Sequence, residues 1–175
     1  ESLHQKGLLN KKYDKSFKLL GKPAGYSLNP KGVKVINEYI DVNKKYAHSM
    51  YKNATASENF MNQSLDIMAV YTSIKDTYRD AFTMFTRAET IEYDDSFPKT
   101  LPNLYLTRND PSDDSPNHYL LDILTGVQKN VLYKKIDMYI DHFESGDWSE
   151  DEHPVILLVL DNSYIEDVVQ KIAEE

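Results

Sequence analysis

The pattern of apolar and polar positions changes its period several times along the chain, and these changes predict an order of elements. From residue 57 on, apolar residues first recur at helical spacing, then fall into short strand-like runs, and later return to helical spacing twice. The predicted elements are a helix over 57–80, strands over 81–88, 101–107 and 118–124, a helix over 126–143, a strand over 155–160 and a helix over 163–173. A short strand over 90–93 is expected to pair with the first of these strands.

This αβββαβα order predicts an α+β (α/β) fold built on a mixed sheet. Three consecutive strands favour an antiparallel meander, and a strand reached through a helical crossover should join in parallel with right-handed geometry. The unbroken apolar run over 155–160 predicts a strand buried on both faces. Ser57 and Ser163 are expected to cap the first and last helices. The first helix is expected to bury one stripe, made of Phe60, Met61, Leu65, Met68, Tyr71, Ile74 and Tyr78.

Residues 1–50 carry a different pattern, in which a helix end, two strands and a new helix follow one another. The predicted parts are a last helical turn over 1–6 with its cap at Gly7, strands over 8–13 and 17–28, and a helix over 30–46. Asn29 and Pro30 are residue types that favour the start of a helix. A helix end, a lysine-rich hairpin and a following helix are typical of the wing of a winged-helix DNA-binding module.

The pattern therefore predicts two domains. A complete winged helix has two or three helices before its wing, so residues 1–50 are expected to be a winged-helix remnant. Residues 47–56 predict a joint between the modules, and residues 57–175 are expected to form the α/β core.

Charge divides the chain at the same place. Residues 1–53 hold 11 lysines and 4 acidic residues, a net charge of +7, whereas residues 54–175 hold 9 basic and 24 acidic residues, a net charge of −15. Only the first segment would attract a polyanion. The candidate phosphate-binding side chains lie on or beside the predicted hairpin, and they are Lys11, Lys12, Lys15, Lys18 and Lys22. The alternative is that these lysines protect an exposed strand edge against aggregation.

Composition excludes several other classes of function. The absence of cysteine excludes disulfides, thiolate metal sites and thiol catalysis. No apolar run reaches the roughly 18 residues of a membrane span. The 6 glycines do not form a phosphate-binding loop, and the histidines show no zinc-ligand spacing, so no cofactor is expected. A cytoplasmic protein without a membrane segment is the expectation.

Four short motifs point to one known family. They are Tyr26-Ser27-Leu28-Asn29-Pro30-Lys31-Gly32, Pro102-Asn103-Leu104-Tyr105-Leu106, Tyr119-Leu120-Leu121-Asp122-Ile123-Leu124 and Lys134-Lys135-Ile136-Asp137-Met138-Tyr139. On these residues the chain resembles the replication-relaxation family of plasmids and mobile elements. The resemblance implies a winged helix followed by a restriction-endonuclease-like (PD-(D/E)xK) core, with a role near plasmid replication or transfer initiation.

The chain departs from the nuclease pattern at two of three positions. A nuclease of that fold needs a carboxylate on the second strand, then an acid and a lysine two apart on the third, to hold Mg²⁺ and activate water. Here Asn103 and Leu124 stand at the first and last positions, and only Asp122 fits. Asp122 is thus a weak metal candidate. A carboxylate inside an apolar strand needs a partner, and an ion pair or hydrogen bond with Lys134, Lys135 or nearby backbone is the favoured interpretation.

The leading hypothesis is a non-catalytic protein that binds double-stranded DNA and docks other chains of a replication or mobilisation complex. A neighbouring copy is expected to complete the winged-helix module by pairing through the exposed hairpin, so a homo-oligomer is one expected state. The first alternative is a divalent-metal nuclease with a displaced lysine, which requires Asp122 to lie within roughly 6 Å of a second carboxylate. The second alternative is a protein-interaction module whose basic end binds an acidic protein surface.

Overall fold

The structure, a computed structural model, describes residues 2–13, 21, 24–40, 48, 50, 57–90, 97–110, 117–145 and 153–174. The chain divides into two compact units, Glu1–Asn62 and Gln63–Glu175. Each unit is described by itself.

The first unit opens with a single helical turn that ends at Gly7. Leu8 N donates to Leu3 O at 3.0 Å and Gly7 N donates to His4 O at 2.9 Å. With Gly7 at φ +68°, this pair of bonds forms a Schellman cap, in which glycine adopts the left-handed conformation at no steric cost. The predicted cap at Gly7 is therefore confirmed.

A two-stranded antiparallel hairpin follows this turn. Strand β1 spans Leu9–Lys12 and strand β2 spans Gly25–Leu28, with Leu9 opposite Leu28 and Lys11 opposite Tyr26. Strand β1 is shorter than predicted. Residues 14–20, 22 and 23, which comprise the predicted lysine-rich turn and much of the strand predicted over 17–28, lie outside the described residues.

Helix α1 spans Pro30–Tyr39 and starts as predicted. Asn29 Oδ1 accepts from Gly32 N at 2.9 Å, and its Nδ2 donates to Gly7 O at 2.8 Å, so one side chain caps the helix and joins it to the opening turn. The helix ends at Tyr39 rather than near residue 46, because Ile40 adopts extended backbone and closes the last turn by donating to Ile36 O at 2.9 Å.

Gly32 allows α1 to lie directly against the chain before β1. A Cβ atom at this position would stand 2.2 Å from Leu8 O and 3.0 Å from Leu28 Cδ2. Leu8 O also accepts from Asn29 N at 3.2 Å. Only glycine fits this approach of two backbone segments, and this contact fixes the base of the hairpin on the helix.

The second unit is built on a four-stranded mixed sheet in the order β3-β4-β5-β6. The strands are β3 (Phe82–Thr86), β4 (Leu104–Arg108), β5 (His118–Ile123) and β6 (Val155–Val159). Strands β3, β4 and β5 pair antiparallel, and β6 pairs parallel with β5. The predicted meander and the predicted parallel fourth strand are confirmed.

Helices cover both faces of this sheet. They are α2 (Glu58–Tyr78), α3 (Arg87–Thr90), α4 (Lys129–Glu144) and α5 (Ile165–Glu174), with 3₁₀ turns at Arg79–Ala81 and Asn162–Tyr164. The part of α2 in this unit packs on one face of the sheet, over Leu104 and Leu121. Helices α4 and α5 pack on the opposite face, around Leu132, Ile136 and Val168. The chain is thus a mixed α+β protein, with a four-stranded mixed sheet in its second unit.

The predicted stripe on α2 is wrong for most of its members. The residues that pack against the sheet core are Ile67, Val70, Tyr71 and Ile74, whereas Leu65, Met68 and Tyr78 are exposed. Positions 67, 70, 71 and 74 follow the helical period as closely as the predicted stripe does. The sheet therefore selects between two apolar stripes that the sequence alone does not rank.

The buried-strand prediction for β6 is also wrong. Leu157 and Val159 are exposed, because β6 is an edge strand and they lie on the face that carries Leu121 and Ile123, the face covered by α2 at the other strands. Ile156 and Leu158 point to the opposite side and pack against the core under α4. Apolar residues on both faces of this strand therefore do not mean burial on both faces.

The two predicted serine caps have different outcomes. Ser57 Oγ accepts from Phe60 N at 3.2 Å and caps α2, as predicted. Ser163 lies inside a 3₁₀ turn whose first residue follows Asp161, and no side-chain cap forms there. A short helix, α3, takes the place of the expected strand start at Thr90.

Of the helices in the described parts of the chain, none combines the length and the apolar character that crossing a bilayer requires.

Candidate functional site

A polar cluster lies inside the second unit, around Asp122. This residue is on β5, on the face covered by α4, and only 1% of its surface is exposed. Its Oδ2 accepts from the Tyr139 hydroxyl at 2.5 Å and lies 2.9 Å from Lys135 Nζ. Its Oδ1 accepts from Asn103 N at 3.0 Å. Both carboxylate oxygens are therefore occupied by partners within the protein, as a buried charge requires.

The partners of Asp122 make further bonds of their own. Lys135 Nζ donates to Thr100 O at 2.8 Å and to Leu101 O at 3.2 Å, which ties α4 to the segment before β4. Asn103 Oδ1 accepts from Ile123 N at 2.8 Å. This side chain therefore extends the pairing of β4 and β5 to the residue just before β4 begins. The cluster thus holds together two strands, the segment that enters one of them, and a helix.

Burial shifts the pKa values of two side chains in this cluster. Desolvation lowers the pKa of Lys135, and the negative charge of Asp122 opposes that shift. Desolvation also raises the pKa of the Tyr139 phenol, and the adjacent Asp122 carboxylate raises it further. Tyr139 therefore stays protonated at neutral pH and donates its hydrogen bond to the carboxylate.

This geometry decides between the two interpretations of Asp122. The ion pair is confirmed, with Lys135 rather than the exposed Lys134 as the cationic partner. The ion pair and hydrogen bonds of Asp122 go to a lysine, a tyrosine and a backbone amide, and none of these contacts is the second carboxylate that the nuclease alternative expects. Within the described ranges, no group of three or more His, Asp or Glu side chains could hold a metal ion. Leu124, at the third motif position, is buried among apolar side chains.

A second candidate site, made of basic and aromatic side chains, lies on one face of the hairpin in the first unit. Residues paired across an antiparallel ladder share a face, so Lys11 and Tyr26 point the same way, and Tyr13 follows on that side. Lys11 Nζ lies 5.2 Å from the centre of the Tyr13 ring. The His4 ring meets Tyr26 edge-on at 6.3 Å between centroids. We call His4, Lys11, Tyr13 and Tyr26 the aromatic face.

The aromatic face is open to solvent. Tyr26 is 55% exposed and Tyr13 is 48% exposed, and His4 and Lys11 are exposed as well. The His4 ring is oriented by a hydrogen bond from Nδ1 to Leu9 O at 3.0 Å. A recess of about 450 Å³ lies beside these side chains and is lined by Ser2, Leu3, His4, Gln5, Leu9, Lys11 and Tyr26.

The five predicted phosphate-binding lysines have different outcomes. Lys11 lies on the aromatic face. Lys12 is the next residue of the same strand and is exposed on the opposite face. Lys15, Lys18 and Lys22 lie outside the described residues.

An apolar hollow in the second unit was not foreseen from the sequence. It measures about 330 Å³ and is lined by side chains of α4, β6 and α5, among them Phe143, Ile156 and Ile172, with Glu144 as its acidic member. Each of these residues except Glu144, which was predicted to start the exit loop, belongs to a helix or strand that was predicted. What the sequence could not show is how far apart the three elements lie.

Comparison of the chain with known protein families, with curated proteins and with solved structures finds no match.

Proposed function

We propose that this protein is a non-catalytic DNA-binding protein whose first unit contacts double-stranded DNA through the hairpin. The observation that carries the proposal is the aromatic face: an exposed lysine between exposed tyrosines, on a hairpin within a segment of net charge +7. Lysine side chains that reach phosphates release condensed counterions, which supplies most of the non-specific affinity for DNA. Tyrosines beside them can contact sugar and base edges.

The opening turn, hairpin and α1 support a winged-helix remnant. In such a module the hairpin is the wing, and the helix end before it belongs to the DNA-contacting part. The Schellman cap at Gly7, the hairpin ladder and the Asn29 cap are the local features that this assignment needs. A role near plasmid or mobile-element replication or transfer, and hence a place in the cytoplasm, follows only from the family resemblance and is part of the proposal.

The second unit is proposed to be a restriction-endonuclease-like body that has no nuclease activity. Its strand order and parallel fourth strand fit that assignment, and Asn103 and Asp122 lie together as adjacent positions of the motif would. Lys135 reaches the same carboxylate from α4, but it is 7% exposed and makes two further bonds to backbone carbonyls. Both oxygens of Asp122 are engaged by partners within the protein, which supports a structural role for this carboxylate.

This body is proposed to contact other chains of a replication or mobilisation complex. It is strongly acidic, since residues 54–175 carry a net charge of −15. It also exposes apolar side chains on its edge strand, at Leu157 and Val159. These two features fit contact with a basic protein surface and repulsion from DNA, so that the first unit alone would face the nucleic acid.

The test is a salt titration of duplex binding by fluorescence anisotropy, with and without Mg²⁺. If all five predicted lysines contact phosphates, the slope of log affinity against log salt should be about −4.5. Lys11/Lys12/Lys15→Ala should reduce its magnitude by about 3, and the matched control is Lys75/Lys99/Lys134→Ala in the second unit. No binding at low salt would exclude the proposal, and cleavage of the duplex with Mg²⁺ would show that the body is catalytic.

A further inference from the structure

We propose that the recess beside Tyr26 takes one unpaired nucleobase, so that the protein prefers DNA carrying a single-stranded end over blunt duplex. This inference rests on the proposed DNA-binding function and names the part of the nucleic acid that the aromatic face recognises. Lys11 would contact the adjoining phosphate, and the Tyr26 ring would stack on the base.

The shape of the site fits a small planar group. Its volume, about 450 Å³, falls within the roughly 300–1,000 Å³ typical of small-molecule sites. Leu3 and Leu9 supply apolar lining, while Ser2 and Gln5 supply polar groups. A base within a duplex is stacked on its neighbours and paired across the helix, so it cannot enter a recess of this kind. An unpaired base can, at a lower cost in unstacking.

The side chains at the recess are held in place before any ligand binds. The His4 ring is oriented by its bond to Leu9 O and meets Tyr26 edge-on, at an interplanar angle of 65°. His4 therefore contacts one side of Tyr26, while 55% of the Tyr26 surface remains exposed to solvent. Rings held in this way lose little freedom when a base stacks on them.

Charge on the aromatic face is placed where a nucleotide would need it. Lys11 is opposite Tyr26 in the ladder and its amine lies over the Tyr13 ring, so one cation shares a face with two exposed rings. Alternation of a cation with aromatic rings is the arrangement by which proteins hold single-stranded nucleic acid, with the ring on the base and the amine on the phosphate. Because every base has a π-face, the preference should depend little on the base type.

The experiment compares three duplexes of equal length with the full chain at low salt. One is blunt, one carries an overhang of four thymidines at each end, and one carries an overhang of four abasic nucleotides at each end. The abasic overhang adds the same phosphates without bases, so it measures the charge contribution alone. We expect the thymidine overhang to bind about fivefold to a hundredfold more tightly than the abasic one.

Variants assign that difference to the recess. Tyr26→Ala should reduce the ratio to about one, and Tyr26→Phe should retain it, because stacking needs the ring and not the hydroxyl. The matched control is Tyr39→Ala, at a tyrosine of the same unit that is 83% exposed at the end of α1, and it should leave the ratio unchanged. Circular dichroism of each variant verifies that it is folded.

Three results would overturn the inference. Equal binding of thymidine and abasic overhangs would mean that charge alone is read, and the proposed function would survive because blunt duplex binding tests it separately. Equal loss of the ratio in Tyr26→Ala and Tyr39→Ala would mean that the base is contacted elsewhere. Absence of binding to all three ligands would end both proposals.

Discussion

The two units each place a lysine amine 5.2 Å from the centre of a tyrosine ring, and the two pairs lie in opposite surroundings. In the hairpin, Lys11 lies over Tyr13 on an exposed surface. In the second unit, Lys135 lies over Tyr139 inside the core, where both side chains bind the buried carboxylate of Asp122. The same two residue types therefore bind a buried carboxylate where water is excluded and leave a cation and a ring exposed where it is not, and the exposed arrangement is the one proposed to bind DNA.

Breaking the buried ion pair between Asp122 and Lys135 should cost far more stability than breaking an exposed ion pair of similar geometry. The unit supplies a matched comparison, since Lys129 Nζ lies 2.8 Å from Asp167 Oδ1 with both side chains substantially exposed. Removing one partner of a buried ion pair leaves an uncompensated charge and costs about 3–5 kcal/mol, whereas an exposed pair is worth about 0–1 kcal/mol.

We therefore expect Asp122→Asn to reduce the free energy of unfolding of the second unit by about 3–5 kcal/mol, and Asp167→Asn to change it by less than about 1 kcal/mol. Urea unfolding followed by circular dichroism gives the size of the effect, and hydrogen exchange at β4 and β5 amides assigns it to the second unit. Similar losses in both variants would show that burial does not distinguish the two pairs.

The first unit should be sensitive to packing rather than to charge. A Cβ at Gly32 would meet the Leu8 carbonyl at 2.2 Å, and a backbone atom cannot turn aside as a side chain can. Gly32→Ala is expected to cost about 1–3 kcal/mol by forcing α1 away from the hairpin. Gly25→Ala is the control, because its Cβ would meet nothing closer than 3.9 Å. If the two variants showed equal shifts in melting temperature, the close approach of α1 to the backbone at Leu8 would be contradicted.

Alkaline pH should act on the buried cluster through Tyr139. Its pKa is raised in the folded protein, so above pH 10 the unfolded chain loses a proton that the folded chain keeps, and stability falls as pH rises. The lowered pKa of Lys135 acts in the opposite direction, and this contribution levels off above about pH 10.5, as the unfolded lysine also loses its proton. Urea unfolding between about pH 10.5 and 11.5 should show a slope about 1.4 kcal/mol per pH unit shallower in Tyr139→Phe than in the wild type. Equal slopes would mean that the phenol is not buried against a carboxylate.

The features that could be predicted from the sequence are those set by neighbouring residues. The Gly7 cap, the Asn29-Pro30 helix start and the Ser57 cap each depend on one or two residue types at fixed offsets. The sheet order followed from the order of the elements, since consecutive strands favour an antiparallel meander and a helical crossover favours a parallel strand. These rules do not need the tertiary structure.

One local signal was present and was missed. Thr86 and Glu89 form the glutamate half of a capping box, because Glu89 Oε2 accepts from Thr86 N and from Thr86 Oγ1, both at 2.7 Å. The spacing Thr-x-x-Glu marks a helix start at Arg87, whereas the apolar pattern alone favoured a longer strand there. A search for caps within predicted strands would have found α3.

The remaining errors concern distances that only the folded chain defines. Lys134 and Lys135 are adjacent in sequence and point about 100° apart on α4, so the identity of the Asp122 partner depends on the rotation of the helix against the sheet. The pairing of Lys11 with Tyr26 depends on the length and geometry of the connection between β1 and β2, which apolar periodicity does not report. The sequence alone therefore could not predict that the residues of the aromatic face lie together on one side of the hairpin.

The smallest effect on stability, and the sharpest test of the contrast between the units, is expected at Lys11. Its side chain is exposed, so Lys11→Ala should change the free energy of unfolding by less than about 0.5 kcal/mol. The same change should weaken duplex binding and reduce the magnitude of the salt slope by about 1, as expected for one lost phosphate contact. Lys12→Ala, on the opposite face of β1, should have the smaller effect if the aromatic face is the surface that meets DNA. A Lys11 variant that lost stability but kept its full salt slope would show that this lysine serves the fold, as Lys135 does, and that the two units do not differ in the way proposed.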